Sequence, residues 1–341
     1  MRRSALLRGC SLENSFLKAV RSLYWAALFL GAVVLFAPSA WAGSCCGGGG
    51  GAALVLPKFY QGMVDVSFDM EKYDGFWNQR GKYTPDPAGS DLRQYRMNVG
   101  YARRLASRWQ TSIAVPYIWN DNKYSGLSSR TDGLGDTTLN LWYEALEDMS
   151  AWKIRELKDL APSITIGPSL LVPTGISPYD NVNSSFDVTG RGFYRLDGNI
   201  LLSKALHPWS ASVSLSYGTY LERSVNREYG KYVEPYRKKL GDRSSASVSL
   251  SYIYYLGSGG DTLTSTVSFS DLREADGTID GVRDTSSGFL KDSIGGTIAY
   301  SSTDHDWGVR ATWNHTVKKD GWGENFPATD IYTIGVNYGF R

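Results

Sequence analysis

Apolar and polar positions alternate strictly at the end of the chain. Tyr332, Ile334, Val336, Tyr338 and Phe340 share one phase, and Ile331, Thr333, Gly335, Asn337 and Gly339 share the other. A period of two belongs to a β-strand whose faces meet different surroundings. The pattern recurs in 245–256, where Ala246, Val248, Leu250, Tyr252 and Tyr254 alternate with Ser245, Ser247, Ser249 and Ser251. In 210–219, Val213, Leu215 and Tyr217 alternate with Ser212, Ser214 and Ser216. Twelve such segments are predicted: 62–70, 91–102, 107–119, 135–146, 162–173, 191–204, 208–221, 243–256, 261–272, 288–301, 305–318 and 330–341. Most are longer than the ~5–6 residues usual for soluble strands. They suit the ~9–11 residues that a tilted strand needs to cross a bilayer.

The connections between these segments alternate in length. Long ones (71–90, 120–134, 174–190, 222–242, 273–287, 319–329) are interleaved with short ones (103–106, 205–207, 257–260, 302–304). The exception, 147–161, carries Trp152, Ile154, Leu157 and Leu160 at helical spacing and reads as a periplasmic turn helix. An even number of antiparallel strands with short turns at one end and long loops at the other describes a transmembrane β-barrel. The expected fold is therefore all-β: a single antiparallel barrel of about twelve strands over 62–341, with both termini periplasmic. Trp109, Tyr117, Trp119, Trp307, Trp313, Tyr332 and Tyr338 fall near strand ends, where interfacial girdles sit. A soluble sandwich with an aromatic core is the competing arrangement, and loop parity argues against it.

The only long apolar run is 23–37. Arg2, Arg3, Arg8, Lys18 and Arg21 precede it, and Ala40 and Ala42 follow at the small positions of an A-x-A cleavage site. Residues 1–42 read as a secretory signal peptide, with an uncleaved anchor as the alternative. Its removal takes five basic and one acidic residue, leaving 31 basic against 33 acidic, a net charge of −2. Residues 43–61 then form a Gly-rich periplasmic segment that is able to plug the lumen. Ala42 stands three residues before Cys45, where a lipoprotein signal carries a larger apolar residue, which argues against lipidation of Cys45. Cys46 beside it, with no His nearby, makes a poor metal site.

Composition narrows the function. The 22 Tyr, 12 Phe and 11 Trp exclude a disordered chain. A mean hydropathy of −0.29 excludes a bundle of membrane helices. A net charge of +2 gives no basic footprint for nucleic acid. Three Cys and three His leave little for a metal site or a disulfide scaffold, and no cofactor is expected.

Three strings carry a family resemblance: AVPYIWNDN (114–122), GLGDTTLNLWYEAL (133–146) and GPSLLVPTGIS (167–177). They place V-P-Y, G-L-G-D and P-T-G in that order at strand ends. In this the chain resembles the bacterial outer-membrane proteins described as transporters of the meta-pathway for phenol degradation. The resemblance covers about 90–205 by motif. It implies a small barrel passing small, often aromatic, compounds. The end of the chain also resembles a barrel-assembly signal, with Phe340 followed by Arg341, which implies insertion by the barrel-assembly machinery.

With the polar phase inward, the candidate lumen and constriction residues are Asp65, Asp69, Arg96, Glu144, Arg195, Asp197, Lys291 and Arg310. Gln94, Asn98, Asn140, Trp142, Asn199, Thr312 and Asn314 accompany them. Both signs occur, so the charges either brace the wall as ion pairs or line a constriction. No strong ion selectivity is expected, because a filter shows one sign. No enzymatic role is expected. His207 and His305 fall at turns, and His315 lies on the lipid-facing phase without the neighbouring residues of a barrel phospholipase. The function expected is passive diffusion of small solutes through the outer membrane, in contact with its lipids. The alternative is a structural sleeve around an envelope cytochrome; the chain has no C-x-x-C-H of its own.

Overall fold

The computed structural model describes residues 54–58, 60–124, 126–147, 154, 156–257, 260–302 and 306–341. The predicted signal peptide, Cys45, Cys46, Gly47–Gly51, Trp152 and His305 lie outside the described residues.

Twelve long strands form the wall. They are β1 (Gly62–Trp77), β2 (Asp91–Ala106), β3 (Trp109–Tyr124), β4 (Thr137–Leu146), β5 (Ser163–Val172) and β6 (Arg195–Leu206). The circuit continues with β7 (Trp209–Tyr220), β8 (Arg243–Leu256), β9 (Asp261–Glu274), β10 (Phe289–Ser301), β11 (Trp307–His315) and β12 (Phe326–Phe340). Each pairs antiparallel with its predecessor, and β12 returns to β1 from Gly62↔Phe340 to Trp77↔Phe326. The circuit leaves no free edge, so every wall strand is paired on both sides, as a lipid-exposed sheet requires.

Alternation sets the two faces. On β1, Met63, Asp65, Ser67 and Glu71 are buried, while Val64, Val66 and Phe68 are exposed. On β9 and β12 the outward Val267 and Ile334 are 64% and 66% exposed. An apolar exterior of this extent is stable only against lipid. Trp109, Trp307, Trp313, Tyr332 and Tyr338 all face outward and exposed near strand ends, as an interfacial girdle does. Among the described residues no helix is long and apolar enough to cross a membrane.

The short turns all lie at the end that carries both ends of the barrel, and the long loops at the other. We call these the terminus end and the loop end. Several expected loops contain strand. In place of a 120–134 loop, β3 runs on to Tyr124 and Leu127–Leu134 folds back onto it. Residues 223–239 form a hairpin that joins Gly277–Ile279 and Val282–Asp284 in a separate four-stranded sheet. The predicted turn helix over 147–161 is described only as one 3-10 turn, Leu157–Leu160. Of its predicted apolar face, Ile154 and Leu160 are 56% and 38% exposed.

Candidate functional site

The lumen is divided into levels. At the terminus end, Leu54, Leu56 and Tyr60 enter the barrel and pack on Met63 and Ala102. The Leu56 N–H donates to Gln110 Oε1 at 2.5 Å, and the Arg104 guanidinium donates to the carbonyls of Tyr60 (3.1 Å) and Pro57 (3.3 Å). Arg104 also pairs with Glu144 at 2.9 Å, which fixes Glu144 near this entrance. The last part of the predicted N-terminal segment thus fills one side of the bore.

Above it, charges pair across the inner wall. Arg310 grips Asp65 with two bonds of 2.5 and 2.8 Å, passing over Gly335, where a Cβ would lie 2.7 Å from the guanidinium carbon. Arg96 pairs with Asp69 at 3.0 Å and Glu71 at 3.3 Å, and Lys291 Nζ lies 3.9 Å from Glu71. Asp69 also accepts from Asn98 at 2.9 Å and Thr333 at 2.7 Å. Arg195 pairs with Asp197 at 2.6 Å. Arg96 and Glu71, 3% and 2% exposed, are buried deeply enough that an unpaired charge there would cost several kcal/mol.

The far wall carries hydroxyls. Ser212–Ser249 (2.8 Å), Ser216–Ser245 (2.7 Å), Ser251–Thr266 (2.8 Å) and Thr297–Thr312 (2.9 Å) hydrogen-bond between adjacent strands. Ser214, in the same inward phase, is solvent-exposed. This stretch of the inner wall is built of neutral hydroxyls.

At the loop end, residues 173–194 between β5 and β6 cross the mouth. On one side, Asn120 and Asn122 of β3 donate to the carbonyls of Val188 (3.1 Å) and Phe186 (3.3 Å). On the other, the Arg191 guanidinium pairs with Glu274 of β9, which also accepts from Tyr220 at 3.3 Å. β3 and β9 are six strands apart in the twelve-strand circuit, so the loop spans the full width. Phe193 and Tyr220 pack edge to face at 6.4 Å beneath it.

The three short motifs together anchor this loop. Pro116 of V-P-Y accepts the Gly135 N–H at 2.8 Å, and Thr174 of P-T-G donates to the Gly135 carbonyl at 2.6 Å. Asp136 of G-L-G-D accepts the N–H groups of Gly175 (3.2 Å) and Arg191 (2.7 Å). A Cβ on Gly175 would lie 2.7 Å from the Gly190 Cα, and one on Gly190 would overlap the Asp136 carboxylate. Both positions need glycine so that the two loop ends can close on the carboxylate. Further in, Asp187 accepts from Ser129, from Thr131 at 2.6 Å and from Ser184 at 3.1 Å. Burial pushes its pKa up, but the hydroxyl donors outweigh this and hold it below the ordinary carboxylate value.

Between the loop and β1–β3 lies a cavity of about 330 Å³. Tyr73, Phe76, Tyr124, Phe186, Leu92 and Val188 supply its apolar lining, Gln94, Asn120 and Asn122 its amide groups, and Asp86, which accepts the Gly75 N–H at 2.9 Å, its one carboxylate among the described residues. A second cavity, of about 210 Å³, begins one inward position deeper on β1 and is lined by Glu71, Arg243, Phe289, Lys291 and Phe326 among others. Arg96, bonded to Gln94 at 3.5 Å and to Glu71, stands between them.

All eight predicted site residues face inward, but they do not form one ring. Glu144 sits near the terminus end and Arg195–Asp197 near the loop end. Asp69, Arg96 and Lys291 are linked through Glu71, and Arg310 and Asp65 form a separate pair on the same side. Glu71, Arg243 and Glu274 were missed. Glu71 and Glu274 lie just beyond the expected ends of their strands, and two more residues of alternation reach each. Arg243 begins β8 in the inward phase. Phe186 sits in a loop without periodicity and gives no such signal, while Arg191 opens the expected 191–204 segment but falls in the loop, because the strand begins only at Arg195. His315 faces outward with Nδ1 2.7 Å from Asp330, stacked on Trp313. Among the described residues no group of His, Cys, Asp and Glu is arranged to hold a metal.

No family model and no curated protein matches the chain. Among solved structures, an outer membrane channel from Pseudomonas putida F1 aligns with a TM-score of 0.61 at 14% identity, covering 84% of this chain and 100% of that one. The beta domain of the Bordetella autotransporter Brka aligns with a TM-score of 0.46 at 11% identity, over 82% of this chain and 100% of that one. The first similarity shows a shared fold, that of an outer-membrane β-barrel.

Proposed function

We propose that this outer-membrane barrel is a passive channel for small uncharged or weakly polar solutes, aromatic ones among them. The observation that carries the reading is the sequence of surfaces along the bore. An aromatic cavity lies at the mouth, a partition of paired charges follows, and a hydroxyl wall leads toward the terminus end. An aromatic pocket with a few amide groups admits a planar, weakly polar body. A hydroxyl wall offers replaceable hydrogen bonds without holding an ion, which suits passage more than capture.

In this reading the terminus end is periplasmic, the loop end faces outward, and the barrel-assembly machinery inserts the chain among outer-membrane lipids. The family resemblance and the similarity to a solved outer-membrane channel support the channel reading. A sleeve around an envelope cytochrome fits less well, because the 173–194 loop crosses the bore that a threaded protein needs. The test is swelling of proteoliposomes in arbutin, a neutral aromatic glycoside, compared with sucrose. Faster entry of arbutin supports the reading. Equal exclusion of both refutes it.

A further inference from the structure

The deeper of the two loop-end cavities differs from the rest of the lumen in its charge. Lys291 and Arg243 both line it, and among the described residues Glu71 is the only carboxylate that does so. Glu71 is already engaged by Arg96 at 3.3 Å. Glu274, the register partner of Arg243 on β9, is shared with Arg191 and the Tyr220 hydroxyl. Around this cavity, Arg96, Arg191, Arg243 and Lys291 face Asp69, Glu71 and Glu274, so four cations meet three carboxylates. A low-dielectric cavity with one excess positive charge favours a single anionic group.

The rest of the lining specifies what that group is attached to. Phe289 and Phe326 lie with ring centroids 4.7 Å apart and form an apolar wall beside the cations. Lys291 Nζ sits 5.1 Å over the Phe326 ring and donates to Thr329 at 2.6 Å, which fixes its ammonium at the edge of the cavity. Ser270 and Asn314 add neutral polar groups at the opposite rim. The volume of about 210 Å³ takes one ring and one headgroup, and excludes a long chain.

We propose that this cavity is a subsite for a small aromatic monocarboxylate, whose carboxylate meets Lys291 and Arg243 and whose ring lies against Phe289 and Phe326. The proposal deepens the channel reading and rests on it only for the route by which the ligand arrives. The site is a local resting point within a lumen of mixed sign, so it confers preference among organic solutes without making the barrel a filter for inorganic anions.

The test uses binding as its readout, so it does not depend on permeation. Benzoate and its neutral analogue benzamide are titrated against the purified, detergent-solubilised full-length barrel, and thermal unfolding is followed. A ligand that binds only the folded state raises the unfolding temperature in a saturable way. Benzoate should give that saturable rise, benzamide and sodium chloride of equal ionic strength should not, and K291Q and R243Q should each lose most of it. No rise with benzoate, an equal rise with benzamide or chloride, or a rise that survives both substitutions would overturn the proposal. Where a variant fails to fold, the comparison of benzoate with benzamide on the unaltered protein decides. Loss of arbutin swelling together with an intact benzoate shift refutes the channel and leaves the subsite standing. The reverse result refutes the subsite alone.

Discussion

The carboxylate of Asp136 accepts the backbone N–H of Arg191 at 2.7 Å across 55 positions of sequence. The same carboxylate holds Gly175, so one side chain closes both ends of the loop that crosses the mouth. Replacing it by alanine leaves two partly buried N–H groups without this acceptor, a cost of about 1–3 kcal/mol each where no water replaces it. D136A is expected to insert normally and to show a larger and noisier single-channel conductance. Unchanged conductance would mean that the loop does not narrow the mouth.

Asp187 makes the inner anchor of that loop, and its behaviour with pH follows from its donors. Its folded pKa lies below the ordinary carboxylate value. An acid with a depressed folded pKa contributes its full share above the unfolded value of about 3.9 and loses it as pH falls through the folded one. Conductance should therefore stay flat between neutral pH and about pH 5, and rise only on further acidification below about pH 4. A transition near neutral pH would assign the anchor to another group.

The two faces of β8 make opposite predictions for neighbouring residues. Val248 is 52% exposed on the lipid face, and a cation there costs about 2–4 kcal/mol near the bilayer midplane. Ser249 faces the lumen and hydrogen-bonds Ser212. V248R should impair insertion, read as loss of the heat-modifiable band on unboiled gels, and S249R should fold. Equal damage from both would mean a register slipped by one residue.

Arg310 and Asp65 bind in bidentate fashion with side chains 29% and 10% exposed, the geometry of a brace between β11 and β1. R310A leaves a largely buried carboxylate without its charged partner, and because the site is partly wet the expected loss is about 1–3 kcal/mol. The unfolding temperature should drop while sugar permeation stays unchanged. A shifted reversal potential with unchanged stability would instead make the pair part of a constriction.

The wall was legible because alternation of period two is a local signal that the bilayer enforces on every strand. Val248 and Ser249 could be assigned to opposite faces from their neighbours alone. The charged lumen residues were legible for the same reason, since a charge in the inward phase is visible wherever it falls. Their partners were less so, because Arg310 meets Asp65 through the closure of β12 on β1, and nothing local states how many strands intervene. The in-folded loop was not legible at all. Phe186 carries no periodicity, Arg191 was expected to open a strand that begins only at Arg195, and the motifs that anchor the loop show only short strings until Pro116, Asp136 and Thr174 are brought together. Of the predicted 147–161 helix, the described residues show one 3-10 turn, Leu157–Leu160, and most of the stretch lies outside them.

The central claim is that the lumen passes small neutral solutes despite the loop at one end and residues 54–60 at the other. Swelling of proteoliposomes in arabinose, glucose, sucrose and raffinose tests it most directly. The smallest sugars should enter, with the rate falling at each increase in size and the largest excluded. No swelling even in arabinose would contradict it and make the barrel a closed or purely structural one.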